Sequence, residues 1–312
     1  MDVKLGVLLW PQTSTWEPIR DAALRAEQAG VDSLWTWDHL NAIVGPWEQP
    51  ILEGWTTLAG LAAITTRPTL GLMVSANTFR NPGLTAKLAT TLDQISGGRA
   101  VLGIGGAWFE REHDAFGFET WGKGFGERLD RLDESVMLLR RLLDGERIDH
   151  HHGRFYRMHD ALCEPRPVQK RLPILIGGSG PQKTLRTAAR YADAWNTGGS
   201  VEELREKDAT LRERCEEVGR NPDEIERTAT VTIALRDDED AARKVLSETA
   251  AANGDPLEEG DDGGYVGSPA KIADELRPIV ELGFRHILID LPAPYDVETL
   301  ERLPELRERL EA

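Results

Sequence analysis

The chain is poor in cysteine, has no basic cluster and contains no long uncharged apolar run. Each shortage closes off a class of function. Its two cysteines, Cys163 and Cys215, stand far apart and lack metal-ligand spacing. They read as reduced thiols of a cytoplasmic protein, not as a disulfide frame. No uncharged apolar stretch approaches the ~18 residues of a membrane helix. The start, Met1-Asp2-Val3-Lys4-Leu5, lacks the basic and apolar regions of a signal peptide. Acidic residues outnumber basic ones 53 to 37, for a formal net charge of −16. With no basic patch, that balance argues against a nucleic-acid partner and serves solubility. No His-x-His follows the first strand, as a metal-dependent barrel hydrolase would need. The run His150-His151-His152 would scatter its side chains, so no metal is expected.

What is present is an alternation of short apolar runs and amphipathic stretches, the pattern of a parallel sheet with helices between its strands. The pattern predicts eight strands, near residues 5–10, 33–37, 70–74, 100–104, 172–176, 192–196, 228–235 and 286–290. Helical spacing marks the segments between them; the stripe Leu129, Leu132, Val136, Leu139 and Leu143 is the strongest. Pro82 reads as a first-turn proline, and Ser268-Pro269 as a cap followed by one. A (β/α)8 barrel in one domain over 1–312 fits both the order and the length, since such barrels run to ~250 residues or more. Insertions are expected after strands 4 and 7. They comprise the polar and aromatic segment 109–125, the patternless segment 150–171, and the acidic, glycine-rich segment 253–264, read as mobile and as a candidate lid.

Barrel active sites lie at the C-terminal strand ends, which directs attention to four turns. Asp38-His39 follows the aromatic strand Ser33-Leu34-Trp35-Thr36-Trp37. A histidine beside a carboxylate suits proton transfer or a hydrogen bond to a ring; the alternative is a helix cap and a packed imidazole. Asn77, Arg80 and Asn81 offer amides and a cation, or else simply a turn before Pro82. Gly103, Gly105 and Gly106 allow close backbone approach, but Gly-x-Gly-Gly is not the dinucleotide fingerprint. Gly177-Gly178-Ser179-Gly180, placed before a helix, is the better anion cradle. Trp10, Trp37, Trp47 and Trp108 either wall an aromatic pocket or fill the core.

Together these segments resemble the luciferase-like monooxygenase superfamily, and within it the coenzyme F420-dependent oxidoreductases. The similarity runs nearly end to end. Its signposts include Trp37-Asp38-His39-Leu40, Thr78-Phe79-Arg80-Asn81-Pro82, Ile95-Ser96-Gly97-Gly98-Arg99, Trp108-Phe109-Glu110-Arg111-Glu112, Pro165-Arg166-Pro167 and Ala189-Arg190-Tyr191-Ala192-Asp193-Ala194-Trp195-Asn196. The resemblance implies hydride transfer between a deazaflavin and a small organic substrate, with His39 as acid/base and Asp38 orienting it. It implies a cofactor site of Asp38, His39, Met73, Val74, Asn77, Gly105, Gly106, Ala107, Trp108, Gly177, Gly178 and Ser179, with a non-prolyl cis bond at Met73-Val74. It also implies a homodimer. Sugar-phosphate dehydrogenases of the family carry an acidic residue where Trp108 stands, so Trp108 points to a planar or apolar substrate instead. Two alternatives stand beside this reading. One is an FMN-dependent monooxygenase using reduced flavin and oxygen on the same barrel. The other is a cofactor-binding protein without catalysis.

Overall fold

The computed structural model describes residues 2–258 and 260–312. Met1, at the start of the segment read for a targeting signal, and Glu259, in the acidic segment, lie outside the described residues. In chain order the elements are β1 (Lys4–Leu9), α1 (Trp16–Gln28), β2 (Ser33–Thr36), α2 (Gly54–Ile64), β3 (Thr69–Leu72), β4 (Ser75–Ala76), α3 (Pro82–Ser96) and β5 (Ala100–Gly105). Then come α4 (Glu110–Phe116), α5 (Phe125–Leu143), β6 (Ile148–His152), β7 (Arg157–Ala161), β8 (Ile174–Gly177), α6 (Thr184–Tyr191) and β9 (Ala194–Thr197). The last are α7 (Val201–Glu217), β10 (Glu226–Leu235), α8 (Glu239–Ala252), β11 (Tyr265–Gly267), α9 (Pro269–Glu281), β12 (His286–Leu291) and α10 (Val297–Glu311).

The main sheet runs β11-β10-β12-β1-β2-β3-β5-β8-β9, with β4 on β5 and a further pairing of β9 with β10. This is the strand pattern of an eight-stranded parallel α/β barrel, the class the alternation predicts. By contacts the chain divides into two compact units. One comprises Met1–Thr69, Gly198–Leu204 and Arg227–Ala312; the other comprises Leu70–Thr197 and Arg205–Glu226.

In the first unit β1 lies parallel between β12 and β2, and β10 lies parallel to β12 and β11. Strands buried on both faces read as continuous apolar runs, which is why Leu5–Leu9 and Ile287–Ile289 were legible. Ser268 caps α9 by accepting from the Lys271 amide at 3.3 Å, with Pro269 in the first turn. Helix α8 is absent from the sequence expectation. Asp238 caps it, and in fourteen residues it buries only Ala242, Leu246 and Thr249, too thin a stripe to read.

In the second unit β5 pairs with β3, β4 and β8, and β8 with β9, all in parallel. Residues 73–74 interrupt β3 from β4, and the Met73-Val74 bond is cis, as the resemblance implies. Asn81 caps α3, its side chain accepting from the Leu84 amide at 2.9 Å. Helix α5 buries Leu129, Leu132, Val136, Leu139 and Leu143, the predicted stripe. The segment expected to be patternless contains an antiparallel hairpin, β6–β7. Its strands are mostly exposed and polar, with Ile148 the one fully buried apolar residue in β6, so no period showed. The Glu134 carboxylate of α5 holds the hairpin turn, accepting from the Phe155 and Tyr156 amides and from His151, each at 3.0 Å.

Candidate active site

The first unit presents its strand ends as a tryptophan-lined set. Trp10 follows β1 and Trp37 follows β2, their rings 4.4 Å apart and tilted by 40°. Asp38 is 1% exposed, and His39 lies half-buried, edge-on to Trp37 at 6.2 Å. The helix-cap reading of Asp38 fails, because the next helix begins at Gly54 and its cap is Glu53. Tyr295 fixes Trp10 from the other side, its hydroxyl donating to the Trp10 carbonyl at 2.6 Å. Burial pushes the Tyr295 phenol well above its ordinary range.

The Trp10 indole donates to the Asp290 carboxylate near the end of β12. Burial raises that carboxyl to about 6, and the indole hydrogen bond opposes part of the rise. Sequence reading placed Asp290 only as the last residue of a strand. Its signal was there: an acid closing an apolar run at the strand end where barrel chemistry sits.

The second unit presents a glycine-carried shelf. Val74 packs where a Cβ on Gly105 would come within 2.6 Å of its methyl, and one on Gly177 within 2.7 Å. Both glycines are therefore required by close approach, and Met73 and Val74 remain half-buried above them. Ala107 turns out of β5 with φ 61°, and Gly178 out of β8 with φ 110°. Ser179 continues that turn towards α6. Asn77 is buried; its amide N–H donates to the Gly105 carbonyl at 3.1 Å and its side chain to the Tyr156 hydroxyl at 3.3 Å. Arg80 lies over the Phe79 ring.

Lys183, just before α6, is committed: it pairs with Asp130 at 2.5 Å and donates to the Gly126 carbonyl. On α6, the Nε of Arg186 is buried without a partner among the described residues. Trp47 and Trp108 do not fill the core: they are 41% and 59% exposed. His151 is taken by Glu134, and among the described residues no cluster of three or more His, Cys, Asp or Glu is placed to hold a metal ion.

His113 of α4 was not singled out by its sequence. It is buried, with Nδ1 3.2 Å from the Phe109 carbonyl and Nε2 2.7 Å from the Thr78 hydroxyl. A carbonyl only accepts, so Nδ1 carries the proton and Nε2 accepts from Thr78. Burial holds this imidazole below its ordinary range.

A half-buried apolar shelf with flexible backbone turns at two neighbouring strand ends suits the face of a planar ring. The Gly177–Gly180 turn ahead of α6 suits an anionic tail. The residues present thus fit a deazaflavin or a flavin.

The model of the luciferase-like monooxygenase family matches residues 5–258, and the chain belongs to that family. Among its relatives is an F420-dependent glucose-6-phosphate dehydrogenase of Microbacterium testaceum, 32% identical over 93% of each chain. Another is the phthiodiolone/phenolphthiodiolone dimycocerosates ketoreductase of Mycobacterium bovis, 32% identical over 75% of this chain and 66% of that protein. An F420-dependent secondary alcohol dehydrogenase, solved with an F420-acetone adduct, superposes with a TM-score of 0.84 over 99% of both chains. At 19% identity, that likeness speaks for the fold.

Proposed function

We propose that the chain is a coenzyme F420-dependent oxidoreductase that moves a hydride to or from a small organic substrate. The observation that carries this is the 32% identity with an F420-dependent dehydrogenase over 93% of both chains. The shelf at Met73 and Val74 and the turns at Gly105-Gly106-Ala107-Trp108 and Gly177-Gly178-Ser179 support it, because they suit a ring and a tail. When bound, the deazaflavin supplies a carbon that gives or takes the hydride, and it does not activate oxygen readily. The chain supplies position and a proton. An imidazole nitrogen of His39 holds the proton that the substrate oxygen gains or loses, and Asp38 orients the ring. Asn77, held by Tyr156, offers a fixed amide to the cofactor. The whole barrel acts as one catalytic domain. Among the described residues no helix is long and apolar enough to cross a membrane. The two free, buried cysteines support a place in the cytoplasm, and the family resemblance supports a homodimer.

The test is binding followed by turnover. Oxidised F420 should bind at least tenfold tighter than FMN, read by equilibrium dialysis. His39→Ala should keep that affinity and lose ~10²–10⁴ in turnover. Preference for FMN would replace this reading with the monooxygenase on the same fold. Binding of F420 with no turnover on any alcohol or ketone would leave a cofactor-binding protein.

A further inference from the structure

In the sheet of the first unit, the face that carries Asp290 is the open one. A Cβ on Gly6 would come within 2.2 Å of Ser33 Oγ and 2.5 Å of a Leu288 methyl, so Gly6, Ser33 and Leu288 share a face. Side chains alternate along a strand, and the register pairs Leu8 with Asp290 and with Trp35, and Asp290 with Thr232. These four therefore lie on the same face, near the strand ends where barrel chemistry sits. Asp290, Thr230 and Thr232 remain half-buried there, whereas Ala229, Ile287 and Ile289 on the opposite face are at most 1% exposed. The Trp10 indole takes Oδ1 of the Asp290 carboxyl. Oδ2 has no partner among the described residues and is not buried, so it keeps accessible surface. There is room beside the carboxyl. Trp10 and Thr232, with Leu246 and Pro292, line a cavity of about 180 Å³, a little larger than the ~150 Å³ that accepts a benzene ring. Asn253 also lines it, but its side-chain N–H groups are spent on the Thr249 and Ala293 carbonyls, at 2.9 and 2.6 Å.

We propose that Asp290 contacts the substrate: Oδ2 accepts a hydrogen bond from a hydroxyl of an uncharged compound, and the Trp10 indole, by holding Oδ1, aims the carboxyl. The inference rests on the oxidoreductase reading above for calling that compound a substrate. Three observations select this chemistry. An ionised carboxylate oxygen only accepts, so it favours an alcohol over the ketone of the same skeleton. Its neighbours Leu8, Trp10 and Thr232 are uncharged, and the charged side chain in the cavity lining is Asp255, so a phosphate or carboxylate ligand would meet like charge. Finally, Trp10 ties the carboxyl to the proposed proton site: it stacks on Trp37, and Trp37 directly precedes Asp38 and His39. The titratable neighbours through these contacts are Asp38 and His39 beyond Trp37, Tyr295 on the Trp10 carbonyl, and Asp255 in the cavity. Lys4, Arg227 and His286 stand at the opposite strand ends.

The experiment titrates the full chain with cyclohexanol and cyclohexanone by calorimetry, at pH 7.5 and pH 5. Burial raises the Asp290 carboxyl to about 6, so it is ionised at the higher pH and protonated at the lower. At pH 7.5 cyclohexanol should bind at least tenfold tighter than cyclohexanone, because only it offers a donor and the bond is charge-assisted. At pH 5 the acid proton is free to bond the ketone, and the preference should fall to threefold or less. In Asp290→Asn the indole still claims the side-chain oxygen, which turns the NH2 group towards the opening. That variant should bind the ketone at least as tightly as the alcohol at both pH values, a reversal that loss of a merely structural group would not give. The wild-type pH series carries the result if the variant unfolds. No binding of cyclohexanol at pH 7.5, a preference indifferent to pH, an unchanged preference in Asp290→Asn, or glucose 6-phosphate displacing cyclohexanol would each overturn the inference. F420 binding is measured separately. Its absence sinks the oxidoreductase reading and leaves the Asp290 result standing, and the reverse holds equally.

Discussion

Asp290 in the first unit is half-buried and His113 in the second is buried; both are ionisable groups beside strand ends, and desolvation drives each towards its neutral form. They differ in what surrounds them. Both nitrogens of His113 are used, one donating to Phe109 and one accepting from Thr78, and aromatic rings enclose it, with Phe118 at 5.8 Å and Trp121 at 4.6 Å. Asp290 has one partner among the described residues, the Trp10 indole, and its register neighbours Leu8 and Thr232 are uncharged. One unit therefore spends its buried polar group on a closed frame. The other keeps a carboxyl with spare hydrogen-bonding capacity near a cavity. The difference teaches where to look for chemistry: a satisfied buried group stabilises, and an under-satisfied one is kept for another purpose.

The largest test of that contrast is Asp290→Asn. An ordinary aspartate titrates near ~3.9, and Asp290 near about 6 in the folded protein. Below pH ~4 both states hold the proton and the carboxyl makes no difference. Between ~4 and ~6 the unfolded chain releases its proton first, so stability falls as pH rises and stays lower by about 3 kcal/mol above that window. The amide cannot ionise. Asp290→Asn should therefore melt with the wild type at pH 4 and progressively above it towards pH 7. A margin that stays flat across this range would break the comparison.

His113→Asn tests the opposite slope. A histidine held below its ordinary range favours folding above pH ~6.5, and that contribution is lost as pH falls and the unfolded chain takes the proton. The variant should show a shallower acid-side loss of stability than the wild type. At pH 8 it should cost about 1–2 kcal/mol, because the Thr78 hydroxyl loses its acceptor. Urea midpoints at pH 5 and pH 8 separate the two effects. An unchanged acid limb would mean that His113 takes up its proton as readily in the folded protein as in the unfolded chain.

The barrel was legible because most of its strands are short runs buried on both faces, and because Asn81 and Ser268 start their helices with side-chain caps. The Asp38–His39 pair was legible because it closes such a run. What escaped did so for physical reasons. The β6–β7 hairpin and α8 bury too little apolar surface to impose a period. Gly105 read as a point of close backbone approach and Gly177 as the start of an anion turn; for both the structure gives a packing cause, the Val74 methyls. Asp290, His113 and Asn253 are single polar residues whose meaning depends on which partners the fold leaves them, and no local pattern encodes that.

The smallest expected effect is the sharpest probe of the closed frame. Tyr156→Phe removes one hydroxyl, the acceptor of the Asn77 side chain at 3.3 Å. The Glu134 clamp on the Phe155–Tyr156 backbone and the Arg131 guanidinium over the ring, 5.7 Å from its centroid, both survive the change. The ring should stay in place, and the stability cost should be about 0.5–1 kcal/mol, as for a single neutral hydrogen bond. Asn77, no longer held, should then sample other rotamers. If its amide serves the cofactor, F420 affinity should fall about fivefold, equivalent to ~1 kcal/mol. A loss of stability with unchanged F420 affinity would assign Tyr156 and Asn77 wholly to the frame, and leave cofactor recognition to the backbone turns.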